Sequence, residues 1–259
     1  MDFSLHAYDR LIGTVSASGY HALTLRQALT GGEVEYPFIV RHDVEWELKR
    51  TLAVTDIEKR HDIRSSLYFR VDTRVFDVPV MLRLQNEGFE IGYHFNTLDR
   101  CRGDFDRATV MFEEDVRRLR EVGLDIRSVI PHGDPRIKKA GYSGNGDILI
   151  SDRNLLARNN LLDLDSGLAV RYPQHTYIRD LGIRWNLARS GRELIEYVKG
   201  RRWPAIYMLT HPDYWSGSLL RACGLQIAAH ALRVTGLNRK IATVRSLWTA
   251  NGADPAGSL

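Results

Sequence analysis

The chain has 259 residues, 44% of them hydrophobic and 26% charged, with a formal net charge of +4. That balance and length describe a folded globular chain with a core large enough to need no staples, and they exclude the disordered and fibrous classes. Two cysteines, Cys101 and Cys223, lie far apart and have no second Cys or close His at ligand spacing. They give neither a disulfide framework nor a zinc knuckle, and read as free thiols of a reducing compartment.

The opening MDFSLHAYDRLIG lacks the basic start and continuous apolar run of a signal peptide, and no window is long and apolar enough to span a bilayer. A cytoplasmic protein without a membrane span is expected. His6 to Ser18 reads as a helix ended by Gly19, within an N-terminal helical extension over 1–35. Phe38 to Val40 is a short apolar strand, and Trp46 to His61 has apolar residues near helical period at Leu48, Leu52, Val54 and Ile57. Ser66 to Arg70 favours a strand, Val78 to Glu87 a helix stopped by Gly88, and Glu90 to His94 a further strand. Asp104 to Val122 is a long amphipathic helix with Asp104 as its cap and Gly123 as its terminator. Its Arg117, Arg118 and Arg120 lie beside Glu113, Glu114 and Asp115, a solvated face rather than a nucleic-acid surface.

Strands are then expected at Ser128–Pro131, Asp147–Ser151, Leu161–Asp163, Thr176–Ile178 and Ala205–Thr210, with a helix at Arg189–Lys199. C-terminal helices over 218–248 and a tail over 251–259 complete the chain. Strands and helices taking turns without internal repeats predict one domain, 1–259, of α/β class, either a barrel or a doubly wound parallel sheet.

The strand ends carry the chemistry. They present His42, Asp43 and Glu45, then Arg70 and Asp72, then His94, His132 and Asp134, Asp152, and finally His211 and Asp213. In parallel α/β folds the C-terminal strand ends share one face, so residues distant in sequence converge there. Asp43 and Glu45, two apart on an extended backbone, point to the same side. Asp134 and Asp152 fit the ordinary roles of turn and cap residues.

The order RHDVE, SLYFR, GFEIGYH, a long helix, IPHG and LTHPDYW resembles the polysaccharide deacetylase superfamily, over most of the chain up to about Trp215. It is most similar to the branch whose first motif reads Arg-His-Asp-Val-Asp/Glu. The resemblance implies a single distorted (β/α) barrel with extra C-terminal helices. It also implies a divalent metal, commonly zinc, and removal of the acetyl group from an N-acetylated sugar or polysaccharide precursor. By the same resemblance His94 stands for the first metal histidine and His211 for the late general acid. Asp43 is either the base, with Glu45 the metal ligand, or itself a ligand, with Glu45 behind it. Leu98 occupies the place of the family's second motif histidine, and IPHGDP replaces Arg-Pro-Pro-Tyr; His132 is the residue placed to supply the missing nitrogen. Arg41 or Arg70 would hold a carboxylate or bind a charged substrate, and Tyr214 and Trp215 would stack on a sugar ring. The expected partner is a small-molecule or carbohydrate substrate. Two alternatives remain: hydrolysis of a non-sugar C–N amide bond, or a degenerate barrel that binds carbohydrate or a protein partner.

Overall fold

The computed structural model describes residues 3–217 apart from 135, 136, 138, 140, 182 and 183. The helices expected over 218–248, the tail over 251–259 and Cys223 lie outside the described residues. Seven strands form one parallel sheet: β1 (His21–Leu23), β2 (Pro37–Val44), β3 (Ser66–Phe69), β4 (Glu90–Phe95), β5 (Val129–Pro131), β6 (His175–Arg179) and β7 (Ala205–Thr210). Ten α-helices connect them among the described residues: α1 (Leu5–Ala17), α2 (Leu25–Thr30), α3 (Leu48–Arg60), α4 (Val78–Asn86), α5 (Thr97–Arg100), α6 (Phe105–Glu121), α7 (Asp147–Ser151), α8 (Leu155–Arg158), α9 (Leu164–Arg171) and α10 (Gly191–Lys199).

The strand order is β5-β4-β3-β2-β7-β6, with β1 also on β2. Strand β2 is the axis of the sheet. Its first residues, Pro37 to Ile39, pair with β1, and Arg41 to Val44 pair with β3. Phe38 to His42 pair with β7 across the other edge, so β1 and β3 share one edge end to end. The sheet curls into a half-barrel, and no ladder joins β5 to β6 among the described residues. Of the expected distorted (β/α) barrel, the described residues show this curled, open half-barrel. No helix among the described residues is long and apolar enough to cross a membrane.

Both faces of the sheet are covered, as parallel sheets require. Helix α1 starts at Ser4, whose hydroxyl accepts from the Ala7 N–H, and buries Tyr8, Leu11, Ile12 and Val15 on one stripe. That stripe packs with Phe38, Val40, Ile206 and Met208, which point outward from β2 and β7. Helices α4 and α6 cover the outer side of β3 and β4, where Met81, Leu84, Phe112 and Val116 meet Leu67, Phe69, Tyr93 and Phe95. Inside the curl, Leu25 and Ala28 of α2 and Leu164 and Leu168 of α9 meet Ile39, Tyr68, Ile130 and Tyr207. These apolar groups plug the lower part of the interior and leave the C-terminal strand ends to polar residues.

Three expectations are corrected. Segment 1–35 is not an extension, because β1 joins the sheet. Asp147–Ser151 is a helix: only Ile148 is buried while Ile150 is 72% exposed, a one-sided burial that a strand buried on both faces would not show. A short apolar run such as ILI does not distinguish the two by period. Leu161–Asp163 is not a strand, because Asp163 caps α9 by accepting from the Ser166 N–H.

Gly92 lets the Tyr68 ring lie across β4. A Cβ there would fall 2.3 Å from Tyr68 Cε1. Tyr68 is fully buried, with its hydroxyl 2.7 Å from Ser128 Oγ, so the ring has nowhere to move. Gly92→Ala is expected to destabilise the fold by about 1–3 kcal/mol, read as a lower denaturation midpoint at unchanged slope.

Candidate metal centre and acid–base site

The alternation of β2 sorts its charged residues by face. His42 points outward, where its Nε2 lies 2.8 Å from Glu58 Oε1 and its Nδ1 lies 2.9 Å from Thr210 Oγ1. Tyr8 and Ser65 donate to the two oxygens of Glu58 at 2.5 and 2.6 Å. This outer network is fully buried and has no part in the pocket. Arg41, Asp43 and Glu45 take the inner side.

Arg41 grips Asp43 with two parallel bonds, Nε to Oδ1 at 2.7 Å and Nη2 to Oδ2 at 2.8 Å, and its Nη1 donates to the Tyr207 hydroxyl at 3.2 Å. Burial pushes the Asp43 carboxyl upward, but Arg41, His94 and His211 outweigh it and hold it below its ordinary value. Asp43 is therefore an ionised carboxylate at neutral pH. Of the two expectations for Arg41, holding a carboxylate is the one its contacts match.

Glu45, His94 and His132 form a buried cluster that could hold a metal ion, with one ligand atom from each lying within 4.8 Å of the others. His94 donates through Nδ1 to the Ile130 carbonyl at 3.1 Å, which leaves the lone pair on Nε2. That buried Nε2 has no hydrogen-bond partner; it faces Asp43 Oδ2 at 3.6 Å and Glu45 Oε1 at 3.7 Å. An unsatisfied buried nitrogen is costly, and a cation between it and the two carboxylates would satisfy it. Two imidazoles and a carboxylate are a donor set suited to a catalytic divalent metal. The residues therefore fit the expected group.

His132 Nε2 lies 3.2 Å from Glu45 Oε1. Burial holds the His132 imidazole below its ordinary pKa despite Glu45, as a metal ligand requires. Its carbonyl accepts from Asn145 Nδ2 at 2.6 Å, and the same amide reaches Asp99 at 2.8 Å. Arg70, expected to hold a carboxylate or bind substrate, is buried. It makes a bidentate pair with Asp72 at 2.8 and 2.7 Å, and Nη1 reaches the His132 ring.

His211 stands on the other side of Asp43, with Nε2 4.0 Å from Asp43 Oδ2. Its Nδ1 lies 2.6 Å from Oδ1 of buried Asp180, and its backbone N–H donates to Oδ2 at 2.7 Å. Burial opposes the charged imidazole, but Asp180 outweighs it and lifts the His211 pKa to about 9. The His211 side chain is 16% exposed, against 6% or less for Asp43, Glu45, His94 and His132, so the cluster is more open on the His211 side.

The other expected contacts divide. Tyr214 sits beside the pocket, its ring 5.2 Å from that of His211. Trp215 is a core residue, 1% exposed and packed on Phe3 and Tyr8, with no face open to a sugar. Asp134 is buried just beyond His132, and Asp152 is a surface residue paired with Arg158 at 2.5 Å. Leu98 is buried in the outer core and offers nothing to the site. Sequence reasoning missed Asp180 and Asn145. Asp180 had a signal, since it closes HTYIRD as Asp43 and His94 close their strands; Asn145 lies in a loop and had none.

The Asp180 contact fixes a sign. His211, raised in the fold, contributes stability fully below its ordinary value of 6.5 and loses it as pH rises through about 9. Asp180→Asn is expected to bring the His211 titration, followed by NMR of the ring protons, down from about 9 toward 6.5. No family model, no curated protein and no solved structure matches the chain.

Proposed function

We propose that the chain is a metal-dependent hydrolase that removes the acetyl group from an N-acetylated sugar or polysaccharide precursor, built on a polysaccharide-deacetylase-type barrel. The observation that carries this is the orphaned His94 Nε2 facing two carboxylates, one of them the Arg41-paired Asp43, with the Asp180-paired His211 beyond it. Glu45, His94 and His132 would hold the metal, for which zinc suits the donor set, leaving Asp43 as the base. Asp43 is already engaged by Arg41 through both oxygens. When bound, the metal would polarise the acetyl carbonyl and acidify water.

The chain's own residues supply the proton traffic. Asp43, kept ionised by Arg41, takes a proton from water as its oxygen bonds to the acetyl carbon. His211, kept protonated by Asp180, gives its proton to the amine nitrogen as the C–N bond breaks. Acetate and the free amine leave, and the two residues exchange their protons with solvent to restore the starting state. Opposite shifts in two neighbouring groups divide the base and acid roles at one pH. Tyr214, whose ring lies 5.2 Å from that of His211, would pack against the sugar.

Protein loaded with zinc should release acetate from a panel of N-acetylated sugars. His94→Ala should lose the metal. Asp43→Asn and His211→Ala should retain it while kcat falls by about 10²–10⁴-fold. Because His211 acts as the protonated acid, activity should fall as pH rises through about 9, and in Asp180→Asn that limb should move to lower pH. Metal-loaded protein that releases nothing from the sugars but cleaves a non-sugar amide would replace the proposed substrate. Failure to take up metal would defeat the proposal.

A further inference from the structure

We infer that the Arg70 guanidinium, resting on the His132 ring, lowers the metal affinity of the Glu45–His94–His132 cluster through its charge, and that Asp72 tempers that charge. The inference rests on reading the cluster as a metal site. The two histidines of the cluster differ sharply. His94 offers an unbonded nitrogen, whereas Arg70 Nη1 lies 3.0 Å from Nδ1 and 2.9 Å from Nε2 of His132. Near-equal distances to both ring nitrogens place Nη1 over the face of the His132 ring, in line with neither lone pair. The guanidinium there is a permanent positive charge resting on a residue of the cluster.

Arg70 is not a loose side chain passing through. It is 5% exposed, and Asp72 holds Nε and Nη2 at 2.8 and 2.7 Å. Asn96 Nδ2 in turn donates to Asp72 at 2.8 Å, and the Arg70 Cζ lies 6.0 Å from the centre of the Trp46 ring. A metal seated among the three ligands meets a fixed positive charge that rests on one of its ligands. At a separation of about 5 Å, a unit charge beside a dication costs on the order of tenfold in affinity even at the dielectric of water. Asp72 offsets part of that charge. Metal binding at this site is thus weakened by the Arg70 charge, and the Asp72–Arg70 pair is the counterweight.

The test is a titration of the full chain with cobalt(II), followed by its visible absorption, and with zinc(II) against a chromophoric chelator. Arg70→Met should bind both metals about tenfold more tightly than the unmodified chain, since a positive charge beside the site is removed. Asp72→Asn should bind them about tenfold more weakly, because the guanidinium loses its counter-charge. Circular dichroism establishes that each variant is folded. If Arg70→Met does not fold, the Asp72→Asn arm decides alone.

Equal or weaker binding by Arg70→Met, or no loss in Asp72→Asn, overturns the inference while leaving the metal site standing. No binding by the unmodified chain or by any variant overturns the site and the inference together.

Discussion

A charge taken out of water must be paired, and this fold takes many charges out of water along one strand. The stretch Arg41-His42-Asp43-Val44-Glu45 is buried or nearly so on both faces of a parallel sheet. An unpaired ion in such a place would cost several kcal/mol. The period-two alternation sends His42 to the outer face, where Glu58 receives it, and Asp43 to the inner face, where Arg41 does. The other polar strand ends follow the same rule: Arg70 has Asp72, and His211 has Asp180. The site is a set of such pairs brought together by the register of β2 with β3 and β7.

Within that set, one atom breaks the rule. His94 Nε2 is buried with its lone pair directed at two carboxylates and no proton donor in reach. Elsewhere in the site every charge finds a partner inside the chain, so the exception has a meaning that packing alone does not supply. The pairs also divide the site by sign. Arg41 keeps a negative charge on Asp43 and Asp180 keeps a positive one on His211, and Asp43 stands between the cluster and His211.

Much of this was legible in the sequence, for identifiable reasons. Strands β2, β3, β4 and β7 are apolar runs that end in ionisable residues, and the long helix α6 is marked by Asp104 at its start and by Gly123, at φ +95°, after its end. The convergence of Asp43, Glu45, His94, His132 and His211 follows from their places at parallel strand ends. What was not legible depends on partners that sequence does not rank. The burial of Trp215 is set by Phe3 and Tyr8, distant in the chain, and LTHPDYW reads the same whether that ring faces solvent or core. Strand β1 is three residues long and is defined by its pairing to β2 rather than by its own pattern. Asp180 closes its strand as the other site residues close theirs, but its partner, His211, is known only from the fold.

Around His94, Leu98 and His132 divide the work between the apolar core and the polar cluster. In the turn after β4, α5 begins at Thr97 and sends Leu98 into the outer core, away from His94. A side chain four residues beyond His94 is thereby spent on packing. The neighbouring strand β5 pairs His94 with Ile130, so the residue two further on, His132, returns to the same inner face. The turn still serves the site indirectly: Asp99 of α5 binds Asn145, and Asn145 holds the His132 carbonyl. The adjacent strand end thus supplies the second histidine of the cluster, and α5 braces it through Asn145.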